Sequence, residues 1–162
     1  EIPLRLVGSE MCIRDSFNTV FLAFHSAQHY ALGFAMHHLC DWACLLKKQG
    51  LKIPEGVTDE RFLNMIYALT HLCNRYLGTE VLVMKGGEEL AENLLKEMLH
   101  PTYNINVPAT GKWGILVYKL KRMLHIHRLC DSVMRVSLVK WLWISVIQHV
   151  RFPQSIFRRT VS

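Results

Sequence analysis

The sequence predicts an all-α fold, an irregular bundle of five to seven helices. Three observations carry that expectation. Apolar residues recur at three- and four-residue spacing through most of the chain. Helix breakers fall between those runs, at Gly33, Gly50, Pro54, Gly56, Gly78, Gly86-Gly87 and Pro101. Hydrophobic residues make up 51% and charged residues 20% of the 162 positions, which suits one domain with a real core and argues against disorder.

The first sixteen residues stand apart. EIPLRLVGSEMCIRDS keeps no sustained period, and the run 6–16, LVGSEMCIRDS, closely resembles translated sequencing-adapter read-through. It is therefore set outside the fold, as a fusion scar would be. The expected organisation is a non-native segment 1–16, a helical domain 17–153 and a basic tail 154–162.

Phe17 to Gln49 is the organising stretch. It is apolar nearly all the way round, which predicts an interior position, yet it carries His25, His29, His37, His38 and Asp41. A first helix is expected over Asn18–Leu32 and a second from Phe34 to Gly50. Phe17, Val20, Phe21, Phe24 and Ala27 supply the first helix's repeat. Burying a carboxylate requires a partner, and His37 and His38 lie four and three residues before Asp41 on one helical face.

Thr58-Asp59-Glu60 opens the third helix with a capping hydroxyl, and Tyr76-Leu77-Gly78 ends it. Its stripe is Phe62, Met65, Ile66, Leu69, Leu72 and Cys73. Thr79–Met84 reads equally as an extended piece or another helical turn. A fourth helix covers Glu88–Leu99, with Leu90, Leu94, Leu95, Met98 and Leu99 inward, and His100-Pro101 stops it.

The segment 102–111 is the one long irregular connection. A fifth helix starts near Trp113, with Ile115, Leu116, Leu120, Met123, Leu124 and Ile126 inward and Lys112, Lys119, Lys121, Arg122 and Arg128 outward. It continues to Arg135 or breaks near Asp131-Ser132. A last helix spans Leu138–His149, and Pro153 closes the ordered part.

The net charge of +6 favours an anionic partner, such as a nucleotide, nucleic acid or acidic lipid face. Trp113, Trp141 and Trp143 lie among the C-terminal basic residues, as the core beneath a solvated face or as part of an anion-attracting surface. Five cysteines scattered in apolar runs, with no CxxC pair, read as reduced core thiols and point to a cytoplasmic setting. No transmembrane span is expected, because the longest apolar run, Val136–Val150, is short and interrupted by Lys140.

The histidines and Asp41 have metal-ligating chemistry. The pattern nevertheless lacks the glutamates of a helical di-metal site and of HExxH, so no metal set is expected. MKGGEE lacks the lysine and hydroxyl of a phosphate-cradling loop. Arg122 and His127 enclose RMLHIH, a spacing that resembles the arginine–histidine motif of helical ribonucleases and toxins; it defines an alternative, ribonuclease-like pair.

FLAFHSAQHYALGFAMHHLCDWACLLKKQG resembles the helical part of an uncharacterised nucleotidyltransferase family within the polymerase-beta-like superfamily. ELAENLLKEMLHPTYN, WGILVYKLKRMLHIHRLCDSVMR and FPQSIFRR resemble its later helices and end. The resemblance implies a bacterial parent enzyme that uses magnesium and a nucleoside triphosphate. It places the glycine-serine turn and the metal-binding aspartates in a missing N-terminal α/β catalytic domain. This chain would be the C-terminal helical fragment, inactive alone and holding no cofactor. His25, His29, His38 and Asp41 would line the side facing the catalytic domain. Where relatives often carry an arginine, this chain has His37 or His38.

Overall fold

The computed structural model describes residues 4–83, 85–103, 111–135 and 137–152. Those residues are all-helical in their regular structure, with six helices: α1 (Leu4–Gly33), α2 (Met36–Gln49), α3 (Glu60–Leu77), α4 (Glu88–Leu99), α5 (Lys112–Val133) and α6 (Leu138–Arg151). The all-α expectation holds, and the helix count falls inside the expected range.

Helices α1 and α3 are the hubs. Each packs against the other and against α2, α4 and α5, whereas α6 packs extensively on none of them among the described residues. The core lies where α2, α3 and α4 meet α1. It contains Leu39, Trp42 and Leu46 from α2, Met65, Ile66, Leu69, Leu72 and Cys73 from α3, and Leu94 from α4. Each large aliphatic side chain buried there contributes about 1.5–3 kcal/mol. The stripe expected for α3 is the one that is buried, apart from Phe62, which is half-buried.

Local chemistry sets the ends. Asp59, rather than Thr58, caps α3: its carboxylate accepts from the backbone N–H of Arg61 at 2.9 Å and of Phe62 at 3.2 Å. Gly78 ends α3 in the left-handed conformation. Residues 79–83 are not helical. Asn74 holds them, donating to the Val81 carbonyl at 2.7 Å and accepting from the Val81 N–H at 3.0 Å. At Gly87 (φ +85°) a Cβ would lie 2.7 Å from the Ala68 nitrogen, so only glycine lets α4 start so close to α3.

Several expectations fail. Helix α1 begins at Leu4, not Asn18, so the backbone of the segment set outside the fold is continuous with it. Its interior face is also the small one. Thr19, Ala23, Ser26, Ala27 and Tyr30 are buried, while Phe17, Phe21 and Phe24 are exposed, because small side chains let neighbouring helices approach closely.

On α5 the inward stripe is Ile115, Arg122, Ile126 and Val133, and Leu116, Leu120 and Leu124 face solvent. That helix carries two apolar stripes, and periodicity cannot say which one meets the core. The tryptophans divide the same way: Trp42 is core, whereas Trp113 and Trp143 are exposed, and the Trp141 side chain lies outside the described residues. Leu99 likewise faces out of α4. The thiol expectation is met only in part, since Cys73 is buried but Cys40 and Cys44 are exposed. Pro153, the tail 154–162 and residues 104–110 lie outside the described residues. No described helix is long and apolar enough to cross a membrane.

Candidate functional site

The chain reverses at Gly33, whose positive φ (+135°) allows the break, and α2 starts within three residues. That corner sets the first turn of α2 beside the last turns of α1. His25 and His29, four apart, share one stripe of α1 and meet His38 across the corner. Ring centroids are 4.6 Å apart for His25–His29, 4.7 Å for His29–His38 and 5.5 Å for His25–His38. Phe21 stacks on His25 and Phe34 on His38, which walls the group with aromatic carbon.

His38 is the fixed member. It is the third residue of α2 and reaches back to its N-cap, with Nδ1 3.2 Å from both the backbone nitrogen and the carbonyl oxygen of Ala35. With Nδ1 unprotonated the ring accepts from the Ala35 N–H, as half of a capping box; with Nδ1 protonated it donates to the Ala35 carbonyl instead. The ring is buried, and Nε2 has no hydrogen-bond partner among the described residues. Burial holds His38 below the usual histidine range; the Ala35 hydrogen bond opposes this, while His37, His29 and His25 add to it. Burial lowers His29 too, helped by His25 and His37. Both rings are therefore biased to the neutral form at pH 7.

Asp41 does not belong to this group. It lies exposed on α2, and no hydrogen bond or ion pair joins it to a histidine among the described residues. The expected buried carboxylate is corrected: water solvates it, and the buried neighbour is Trp42. That indole donates to Thr70 Oγ1 at 3.1 Å, and the hydroxyl in turn donates to the Ile66 carbonyl at 2.8 Å. His37 is exposed as well, although its ring lies 3.9 Å from that of His38.

Arg122 and His127 both sit on α5, about 140° apart around its axis by helical geometry. Arg122 is only 9% exposed and faces the interior, where burial lowers its guanidinium from the ordinary value and Tyr118 opposes the shift.

A second cluster escaped sequence reasoning. A cleft of about 690 Å³ is lined by residues that include Tyr30, Glu97, Thr102, His125 and Arg128. Glu97 accepts from the Thr102 N–H at 3.0 Å and hydroxyl at 2.8 Å, and lies 3.6 Å from His125 Nε2. Burial, with Glu97 adding, pushes the Tyr30 phenol up to about 12, so it remains a proton donor at neutral pH. These residues come from α1, α4, the bend that follows α4, and α5. No local spacing joins them, so only the fold reveals the group.

No family model, curated protein or solved structure matches this chain.

Proposed function

We propose that this chain is the C-terminal helical part of a nucleotidyltransferase-class protein, and that the outer side of α5 and α6 docks on its α/β catalytic domain. One observation carries this reading: the second apolar stripe of α5 is exposed among the described residues. Trp113 is 80% exposed, and Leu116, Val117, Leu120 and Leu124 follow it on the same face. Val139, Trp143, Ile147 and Val150 of α6 are at least half exposed as well. Scattered exposed leucines need no explanation, but two helices with apolar outer faces do.

The sequence resemblance names the occupant: a domain that handles magnesium and a nucleoside triphosphate. Those groups have no fitting site among the described residues. The one grouping of three metal-capable side chains there is made of imidazoles, whereas magnesium takes oxygen ligands. Nucleotide chemistry under this reading belongs to the other domain. The helical part covers that domain, in a reducing cytoplasmic setting that suits the free thiols.

The test is a transfer assay with labelled nucleoside triphosphates and magnesium. It uses this chain alone and the protein encoded by the full genomic reading frame. Label incorporation by the full protein, abolished by Asp→Ala changes in its upstream aspartates and absent from the chain alone, supports the reading. A full frame with no upstream aspartate pair, or one that transfers nothing, overturns it.

A further inference from the structure

The corner between α1 and α2 does more than pack. We propose that His25, His29 and His38 hold one borderline transition-metal dication of the zinc class, leaving a fourth position for water or an outside donor. The site stands apart from the docking surface on α5 and α6, and its fate does not depend on that reading.

The first observation is distance. One ligand atom from each of the three rings can be chosen so that all lie within 4.8 Å of one another. Tetrahedral zinc with bonds of about 2.0–2.1 Å sets its nitrogens roughly 3.4 Å apart. His25 and His29 are half-buried, so their rings can close that gap by rotation while His38 stays fixed.

The second observation is the unsatisfied nitrogen. His38 is 2% exposed, yet its Nε2 has no hydrogen-bond partner among the described residues. A buried ring nitrogen left this way is uncommon and calls for a cause. Its Nδ1 lies 3.2 Å from both the backbone nitrogen and the carbonyl oxygen of Ala35, so the ring can take either tautomer. In the tautomer where Nδ1–H donates to that carbonyl, the lone pair is on Nε2. A ligating histidine is commonly held in this way, by donating its other N–H to a backbone carbonyl.

The third observation is the donor set. Three imidazoles with no carboxylate or thiolate suit zinc, copper or nickel and reject magnesium and calcium. Sequence spacing missed the site because the third ligand lies beyond the Gly33 break, and HxxxH without a glutamate resembles no zinc motif.

The experiment titrates zinc into chelator-stripped protein by calorimetry, in a Cys40→Ser/Cys44→Ser background, because those exposed thiols on α2 would compete for the ion. One zinc per chain is expected. His25→Gln and His29→Gln should each weaken binding by at least about ten-fold, and His37→Gln should leave it unchanged. The His25 and His29 rings are half-buried, so circular dichroism will show those variants folded. His38 is too buried for the same treatment, and nitrogen-15 spectra of the unsubstituted ring replace it. Zinc should shift His38 Nε2 while Nδ1 remains protonated. Absence of zinc binding overturns the proposal, as do His25 and His29 variants that bind like the parent. A His37→Gln loss equal to theirs, or an unmoved Nε2, does the same.

Discussion

Thr70→Val and Trp42→Phe, made singly and together, test the bond at the centre of the core. Trp42 is fully buried, and its Nε1–H donates to Thr70 Oγ1 at 3.1 Å. Thr70→Val keeps the shape but strands that N–H in a dry interior, at a cost of about 1–3 kcal/mol. The Ile66 carbonyl loses the hydroxyl's 2.8 Å contact as well, but it also accepts the helical N–H four residues on, so the added loss is small. Trp42→Phe removes the donor and leaves a void beside α3, at roughly 2 kcal/mol for the lost bond and cavity together. In the double variant no donor is stranded. It should therefore be more stable than the sum of the single losses implies, by about 1 kcal/mol.

Urea unfolding followed by far-UV circular dichroism reads these losses as midpoint shifts. A 2 kcal/mol loss moves the midpoint by about 1 M at an m-value near 2 kcal/mol/M. Trp113→Phe, at an 80% exposed position, is the control and should stay within about 0.5 kcal/mol of the parent. Single effects that add within about 0.3 kcal/mol would refute the buried bond.

Two further outcomes follow from close approach and burial. Gly87→Ala should cost about 2–4 kcal/mol, combining left-handed strain with overpacking against Ala68. Gly78→Ala, with positive φ but open space around its Cβ, should cost only about 1–2 kcal/mol; equal costs in thermal melts would contradict the packing argument. At pH 8, a maleimide should label Cys40 and Cys44 while sparing Cys73. Burial, with Cys40 adding, pushes the Cys73 thiol up to about 12, so its thiolate stays scarce until the pH approaches that value. Peptide mapping that finds Cys73 labelled as fast as Cys40 in folded protein would refute its burial.

Much of the fold was legible because its boundaries are chemical. Gly50, Gly78 and Gly87 mark helix ends by backbone conformation, which is local, whereas the start of α3 was read one residue early, on the Thr58 hydroxyl instead of the Asp59 carboxylate. The α3 stripe was legible because only one face of that helix is apolar. Helix α5 was not, since Leu116, Leu120 and Leu124 repeat as regularly as Ile115 and Ile126, and the choice between the stripes depends on what α1 and α3 present. On α1 the large aromatic stripe suggested the core, but the small residues buried instead. At the candidate site, His25 with His29 was readable from spacing. The joining of His38 to them depends on the turn at Gly33, which no local spacing announces. Asp41 misled because a carboxylate beside the buried Trp42 still reaches water when its own helical position faces out.

The central claim is that α5 and α6 present their apolar sides to another domain. Hydrogen exchange measured by mass spectrometry on this chain alone, and on the full protein encoded by the genomic reading frame, tests it most directly. The account predicts that amides of α5 and α6 exchange more slowly in the full protein, while those of α3, already enclosed by α1, α2, α4 and α5, keep the same protection. Identical exchange of α5 and α6 in the two proteins would contradict it.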